Sequence, residues 1–161
     1  MTVGTNEGAL GGVDVVQLVS SWWFHYDEWN PQTLRGLLID DFSFKCRTDT
    51  GTTPYEDFIR IDTTGADEVM AWQEKHRLAS PYPLRHNSSN IVVSPSVDGT
   101  TTFKSYILVT KIVDGRPYAL SSGIVNGSAC RSGSELRLAS MEVVLDTRES
   151  DLYTEVFDTA S

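Results

Sequence analysis

The chain has 161 residues, of which 40% are hydrophobic and 22% are charged, values that are usual for one globular domain. Its 22 acidic side chains outnumber its 13 basic ones, so the formal net charge is −9. This acidic balance opposes binding to phosphate backbones and to anionic membranes, and we expect neither nucleic acid nor membrane as a partner. The sequence shows no signal peptide and no apolar run of the about 20 residues that span a bilayer, which predicts a cytoplasmic protein.

The first half of the chain predicts three helices. Residues 1–11 are small and polar and predict a flexible start. Apolar side chains then recur at steps of three and four from Val13 to Trp29, which is the spacing of one helix face. Asn30 and Pro31 are typical of the start of a second, short helix. The third predicted helix covers residues 66–78.

The pattern between and after these helices is that of β-strands. Short strands are predicted at 42–46 and 58–62, separated by a polar loop over 47–57. Four longer β-rich runs follow Pro83, at Ile91–Val97, Thr102–Val113, Tyr118–Arg131 and Leu136–Asp146. Tight turns are predicted between them at Asp98-Gly99, Asp114-Gly115 and Ser132-Gly133. The last residues, 149–161, form an acidic tail.

Helices followed by an antiparallel meander predict an α+β domain over residues 12–148, in which a curved sheet encloses a cavity against the helices. This order resembles the cone-shaped NTF2-like superfamily, and within it the SnoaL-like group. The resemblance rests on Leu18 to Leu38 as the opening helical pair, Gly65 to Trp72 as the third helix and Leu136–Asp146 as the last strand.

Motifs for cofactors and metals are absent from the sequence. It contains no glycine-rich nucleotide loop, no nucleophile elbow and no H-E-x-x-H motif, so we expect neither a cofactor nor a metal. Cys46 and Cys130 are far apart and lack the spacing of a zinc site. We interpret them as buried thiols of a reducing compartment.

Asp27 is the first candidate for acid–base chemistry, because it stands among Trp23, Tyr26 and Trp29. A carboxylate buried among aromatic rings needs a partner or an altered pKa. The other interpretation is that Asp27 lies at the end of the first helix and faces water beside Glu28. Both interpretations are open from the sequence.

His86 is the second candidate, since it lies in a polar stretch just before an apolar strand, where the mouth of a cavity is expected. His25 is two positions from Asp27 and cannot face it on a helix. His76 is flanked by Glu74, Lys75 and Arg77, which predicts a solvated helix face.

The segment from Tyr26 to Arg35 is similar to that of the scytalone dehydratases, in which an Asp of the first helix orients a His at the start of the meander. The resemblance implies that Asp27 and His86 form a catalytic dyad and that Tyr26 is a pocket tyrosine. A carboxylate that fixes one ring nitrogen makes the other a base near neutral pH.

The chain also departs from that family. No His follows His86, and Cys46 stands near the place of a second helper tyrosine. The donor of a proton to a departing hydroxyl is therefore open among Tyr26, Tyr106 and a bound water. Further candidates for the lining of an aromatic pocket are Trp23, Trp72 and Tyr106.

These features predict a cofactor-independent acid–base enzyme, a dehydratase (lyase), cyclase or isomerase, acting on an apolar cyclic small molecule of polyketide or terpenoid type. The alternative is a non-catalytic ligand carrier or partner subunit of the same fold, like the small subunits of ring-hydroxylating dioxygenases. The Asp-Arg-Asp arrangement of the fold's epoxide hydrolases has no clear counterpart. We expect a homodimer or homotrimer, and the tail over 149–161 is either a lid over the cavity or a contact with a second subunit.

Overall fold

A computed structural model describes residues 11–51 and 54–146. Its helices are α1 (Gly12–Asp27), α2 (Pro31–Gly36), α3 (Pro54–Ile59) and α4 (Ala66–Ala79). Its strands are β1 (Leu38–Thr48), β2 (Ile61–Thr64), β3 (Leu84–Val93), β4 (Thr100–Val113), β5 (Arg116–Ser132) and β6 (Glu135–Leu145). The predicted flexible start, except Gly11, and the predicted acidic tail lie outside the described residues.

The six strands form one curved, unclosed sheet in the order β2-β1-β6-β5-β4-β3. Its neighbouring strands are antiparallel except β1 and β6, which run parallel. The predicted α+β architecture is thus confirmed. The parallel pair joins β1 to β6, which is the last strand of the meander. The predicted turns at Asp98-Gly99 and Asp114-Gly115 are present, and all four residues have positive φ, as two-residue hairpin turns require.

Helix α1 buries the side that the sequence predicted to be apolar. Its buried side chains are Val15, Leu18, Val19, Trp22, Trp23, Tyr26 and Asp27. The helix ends at Asp27, two residues before the predicted end, because Trp29 adopts a left-handed conformation with φ 50°. The Asn30 N–H then donates to the His25 carbonyl at 2.8 Å, and the Trp29 N–H donates to the Tyr26 carbonyl at 3.1 Å. These two bonds form a Schellman motif, which ends the helix. Asp27 is therefore the last helical residue.

The predictions for residues 47–62 were wrong in detail. In place of a loop and a strand at 58–62, the chain forms α3 and then β2. Pro54 at the first helical position, followed by Glu56 and Asp57 in the first turn, favours this short helix. The Glu56 carboxylate, which is buried, accepts hydrogen bonds from the Thr48 backbone N–H and hydroxyl and so ties α3 to the end of β1.

Strand β3 begins at Leu84, seven residues before the predicted start at Ile91. Its residues alternate between the two faces of the sheet. Leu84, which is buried, and His86, which is half-buried, lie on the same face. His86 therefore lies within a strand, not before one. Strand β4 shows the same alternation: Ser105, Ile107 and Val109 are buried, whereas Tyr106 is 56% exposed on the opposite face. Tyr106 does not line the cavity between the helices and the sheet, and that prediction was wrong because its position in the two-residue period points it away from the helices.

Candidate active site

A cavity of about 60 Å³ lies between α1, α4 and the sheet. Most of its wall is apolar or aromatic. The residues that line it are Trp23, Tyr26, Phe44, Cys46, Ile59, Trp72, Gln73, His76, Leu84, His86, Ile107, Val109, Leu120, Ser121, Val143 and Leu145. A few polar groups in an apolar wall are the usual composition of a small-molecule site.

Asp27 and His86 meet at this wall. The Asp27 side chain is 6% exposed, and its Oδ1 lies 2.5 Å from the Nδ1 of His86, while its Oδ2 accepts the His86 backbone N–H at 2.7 Å. The carboxylate thus fixes both the ring and the strand that carries it. Since a carboxylate accepts hydrogen bonds, Nδ1 carries the proton of this contact, and Nε2 is the ring nitrogen that Asp27 does not contact. Asp27 does not face water, so the second interpretation of this residue was wrong.

Aromatic rings of α1 hold the His86 imidazole on two sides. Trp23 stacks on it with ring centroids 4.7 Å apart and an interplanar angle of 8°. Tyr26 contacts it edge-on at 5.2 Å. Stacking fixes the orientation of the ring, and the indole face also favours an imidazolium if His86 takes up a proton.

Arg77 binds the backbone carbonyl group of Asp27. Its buried guanidinium donates from Nε at 3.0 Å and from Nη2 at 2.5 Å to the carbonyl oxygen of Asp27. A cation at this position satisfies a carbonyl at the end of α1 and opposes the negative end of the helix dipole. Arg77 was not predicted from the sequence to make this contact. Its spacing of four from Gln73 and of eight from Val69, both buried, was the available signal.

His76 also lines the cavity, and the prediction of a solvated face was wrong. Its ring stacks on Trp72 at 4.6 Å, and its Nδ1 lies 2.8 Å from the Tyr26 hydroxyl oxygen. Of the charged neighbours of His76 in sequence, Glu74 and Lys75 are exposed, whereas Arg77 is itself buried. The steps of three and four that join Val69, Trp72, Gln73 and His76 indicate the inner face of α4.

Burial sets the charge states of three groups in the cavity wall. Burial, with smaller contributions in the same direction from the charges of His86 and Arg77, lowers the pKa of His76 to about 3. It raises the pKa of the Tyr26 hydroxyl above its ordinary value, an effect that the Arg77 charge partly opposes. Burial and the charge of Glu56 raise the pKa of the Cys46 thiol to about 12. At neutral pH all three groups are therefore uncharged.

The structure brings together six of the seven residues that the sequence singled out. Asp27 binds the ring of His86. The other five line the cavity, namely Trp23, Tyr26, Cys46, Trp72 and His86. Gln73, His76 and Ser121 also line the cavity, where they were not predicted from the sequence.

Among the described residues, no group of three or more His, Cys, Asp and Glu side chains is placed to hold a metal ion. Of the helices between residues 11 and 146, none is long and apolar enough to cross a membrane.

The chain matches no protein-family model and none of the curated proteins with which it was compared. Many solved structures resemble it. An NTF2-like protein with a cystatin-like fold from Novosphingobium aromaticivorans is 14% identical, with a TM-score of 0.68 over 88% of this chain and 86% of that chain.

Two other solved structures are similar to a comparable degree. One is provisionally named a scytalone dehydratase, from Novosphingobium aromaticivorans, with 14% identity and a TM-score of 0.66 over 84% of this chain and 83% of that chain. The other is ActVI-ORFA from Streptomyces coelicolor, with 20% identity and a TM-score of 0.67 over 83% of this chain and 96% of that chain. At these identities the comparisons show the fold, which is the NTF2-like cone. The predicted resemblance is confirmed at that level.

Proposed function

We propose that the protein is a cofactor-independent acid–base enzyme, a dehydratase (lyase) or a cyclase or isomerase, with Asp27 and His86 as its catalytic dyad. The observation that carries the proposal is the double contact of the buried Asp27 carboxylate with His86 at the wall of an apolar cavity. The likeness of the fold to a protein named as a scytalone dehydratase supports the same reaction class.

In this proposal His86 Nε2 removes a proton from a carbon next to a carbonyl group. The C–H bond breaks, an N–H bond forms, and the electron pair becomes the double bond of an enolate. Asp27 and the face of Trp23 stabilise the resulting imidazolium. The imidazolium then returns its proton, either to another carbon, which completes an isomerisation, or to a hydroxyl that leaves as water. Such general acid–base assistance contributes about 10²–10⁴-fold to a rate.

The substrate that we propose is an apolar cyclic small molecule, such as a polyketide- or terpenoid-type metabolite. The aromatic wall supports a flat, apolar ring. The cavity of about 60 Å³ is smaller than the about 150 Å³ that holds benzene in an engineered protein interior. Binding of a ring therefore requires a wall side chain to move, and we propose Trp72, which is only partly buried.

Exchange of α-protons tests the proposal without knowledge of the natural substrate. The bicyclic ketone 2-tetralone is incubated with the protein in D₂O, and loss of its α-proton signals is followed by NMR. We expect faster exchange with the wild type than with buffer, and a return to the buffer rate for His86→Gln. His25→Gln is the matched control, because His25 contacts Asn30 and not the cavity. Equal exchange by wild type and His86→Gln would reject the dyad.

The alternative, a ligand carrier or partner subunit without catalysis, is favoured by the narrow and mainly apolar cavity. It differs from the first proposal in one measurable respect. A carrier binds 2-tetralone, as seen by quenching of tryptophan fluorescence, without accelerating its exchange.

We also retain the proposals of a cytoplasmic location and of a homodimer or homotrimer. Both cysteines are free thiols, which supports a reducing compartment. The outer face of the sheet exposes Tyr106, Leu108 and Ile124, and Tyr106 is paired with Ile124, which supports contact with a second copy of the chain. Light scattering coupled to size-exclusion chromatography measures the assembly, and a monomeric mass would reject this proposal.

A further inference from the structure

The second histidine of the cavity has a geometry unlike that of the first. His86 is bound by a carboxylate, whereas His76 is bound by the hydroxyl of Tyr26, and each ring is stacked on a tryptophan. The rings come from different elements, β3 and α4, and line the same cavity. The proposed removal of a proton from carbon uses His86 alone, so the role of the Tyr26–His76 pair is not yet assigned.

The hydrogen bond between Tyr26 and His76 has a defined direction. The Tyr26 side chain is buried, and His76 Nδ1 is its hydrogen-bond partner among the described residues. If Nδ1 carried the proton, the hydroxyl hydrogen of Tyr26 would have no acceptor there, and a buried donor without an acceptor is costly. The Tyr26 hydroxyl therefore donates to Nδ1, and the single proton of the neutral ring is on Nε2.

The surroundings keep both partners uncharged. The titratable groups near the pair are Arg77 on the same helix as His76, His86 on β3, and Asp27 and Cys46 near Tyr26. Burial, His86 and Arg77 all lower the pKa of His76, and burial raises the pKa of Tyr26. The two imidazoles thus stand in environments that separate their roles, an acceptor of protons and a neutral donor of hydrogen bonds.

We propose that Tyr26 and His76 form a donor pair that hydrogen-bonds the carbonyl oxygen of an enolisable substrate while His86 removes the neighbouring carbon-bound proton. The inference rests on the proposed function and narrows its substrate class to carbonyl compounds. As the C–H electron pair becomes a C=C bond, the π pair of the carbonyl moves onto oxygen. That oxygen accepts a hydrogen bond from Nε2–H of His76, and no proton leaves His76. A fixed neutral donor stabilises the developing charge without having to reorient.

The charge state and tautomer are tested by NMR of the protein labelled with ¹⁵N-histidine. The resonances of His76 are those lost in His76→Phe and, as a second variant, in His76→Gln. We expect them to show one protonated and one unprotonated nitrogen, with shifts that stay constant between pH 5 and 8. Tyr26→Phe should change the shift of Nδ1, whereas His25→Gln should leave it unchanged. A His76 that titrates between pH 5 and 8, or that carries its proton on Nδ1, overturns the proposal.

The donor role is tested by binding of 4-nitrophenolate, a flat ring whose charged oxygen stands for an enolate and whose absorbance reports its ionisation. We expect His76→Phe to bind the phenolate at least about tenfold more weakly than the wild type, since a hydrogen bond to a charged group is lost. Equal affinity, or no binding by the wild type, overturns the donor role. The imidazole spectra do not depend on turnover. A neutral His76 that binds phenolate, in a protein that exchanges no α-protons, would reject the proposed function and retain the donor pair.

Discussion

The guanidinium of Arg77 donates two hydrogen bonds to the backbone carbonyl oxygen of Asp27, at 3.0 and 2.5 Å. The contact joins the end of α4 to the last residue of α1, so the carboxylate that binds His86 is held through its own main chain as well as through its side chain. Arg77 is a positioning residue in this arrangement.

Replacement of Arg77 by Met should therefore destabilise the fold. The change leaves the Asp27 carbonyl without its donors, and a lost hydrogen bond to a charged group costs about 1.5–3 kcal/mol. Urea unfolding followed by tryptophan fluorescence measures the loss. Arg77→Lys, which keeps the charge and one donor, should lose less. If Arg77→Met is as stable as the wild type, Arg77 does not hold the end of α1.

Asp27→Asn should reduce the proposed α-proton exchange by about 10²–10⁴-fold, because an amide neither stabilises the imidazolium nor specifies the tautomer of His86. The amide oxygen can still accept the His86 backbone N–H, so circular dichroism should show an unchanged fold. Glu28→Gln is the matched control, because Glu28 pairs with Arg85 outside the cavity. A similar loss in Glu28→Gln would show that the effect is not specific to Asp27.

His76 should make stability fall on mild acidification. Its pKa is about 3 in the folded protein against 6.5 in the unfolded chain, so the unfolded chain binds more protons between these values. The contribution is fully present above pH 6.5 and is lost as the pH falls toward 3. Between pH 7.5 and 5 we expect a loss of about 1–2 kcal/mol that is absent in His76→Phe.

The measurement for His76 is the free energy of unfolding in urea at several pH values. The slope against pH for the wild type is compared with that for His76→Phe, and His25→Gln provides the reference for a histidine outside the cavity. Equal slopes for wild type and His76→Phe would mean that His76 is not buried in its neutral form.

Cys46 should be an unreactive thiol in the folded protein. Its pKa of about 12 leaves a thiolate fraction at pH 8 that is roughly a thousandfold lower than that of a thiol with a pKa of 8.5. In Cys130→Ser, which retains Cys46, a disulfide reagent should react slowly in buffer and rapidly in urea. In Cys46→Ser, which retains the partly exposed Cys130, native reaction should be faster. Rapid native labelling of Cys46 would contradict its burial in the cavity wall.

Local patterns were sufficient to predict most elements of this fold. The two Asp-Gly turns and the apolar spacing in α1 and α4 depend on neighbouring residues, and the structure confirms them. The parallel pairing of β1 with β6 joins residues about 100 positions apart, and no local pattern indicates it. Helix α3 is only six residues long, too short for periodicity to distinguish it from a loop.

The site was predicted unevenly for a similar reason. The resemblance to a known family placed Asp27 opposite His86, and the structure shows the contact, while its catalytic role stays a prediction. His76 was assigned to solvent because of its charged neighbours, although its spacing of four from Trp72 and of three from Gln73 places it on the inner face of α4. Tyr106 was placed inside although the alternation of β4 points it outward. In both cases the period of the element was the better guide.

Strand β3 lies at the end of the sheet order, so one side of it has no neighbouring strand within residues 11–146. Exposed edges of this kind offer backbone groups to other chains and favour aggregation. The backbone N–H of His86 donates to the Asp27 carboxylate, so this group of the edge strand is not available to another chain. The same carboxylate also orients the His86 ring. Removal of that side chain, as in Asp27→Ala, leaves this donor open to strand addition. We therefore expect Asp27→Ala to lower solubility as well as the proposed activity, and only side chains that still accept a hydrogen bond can separate the two effects.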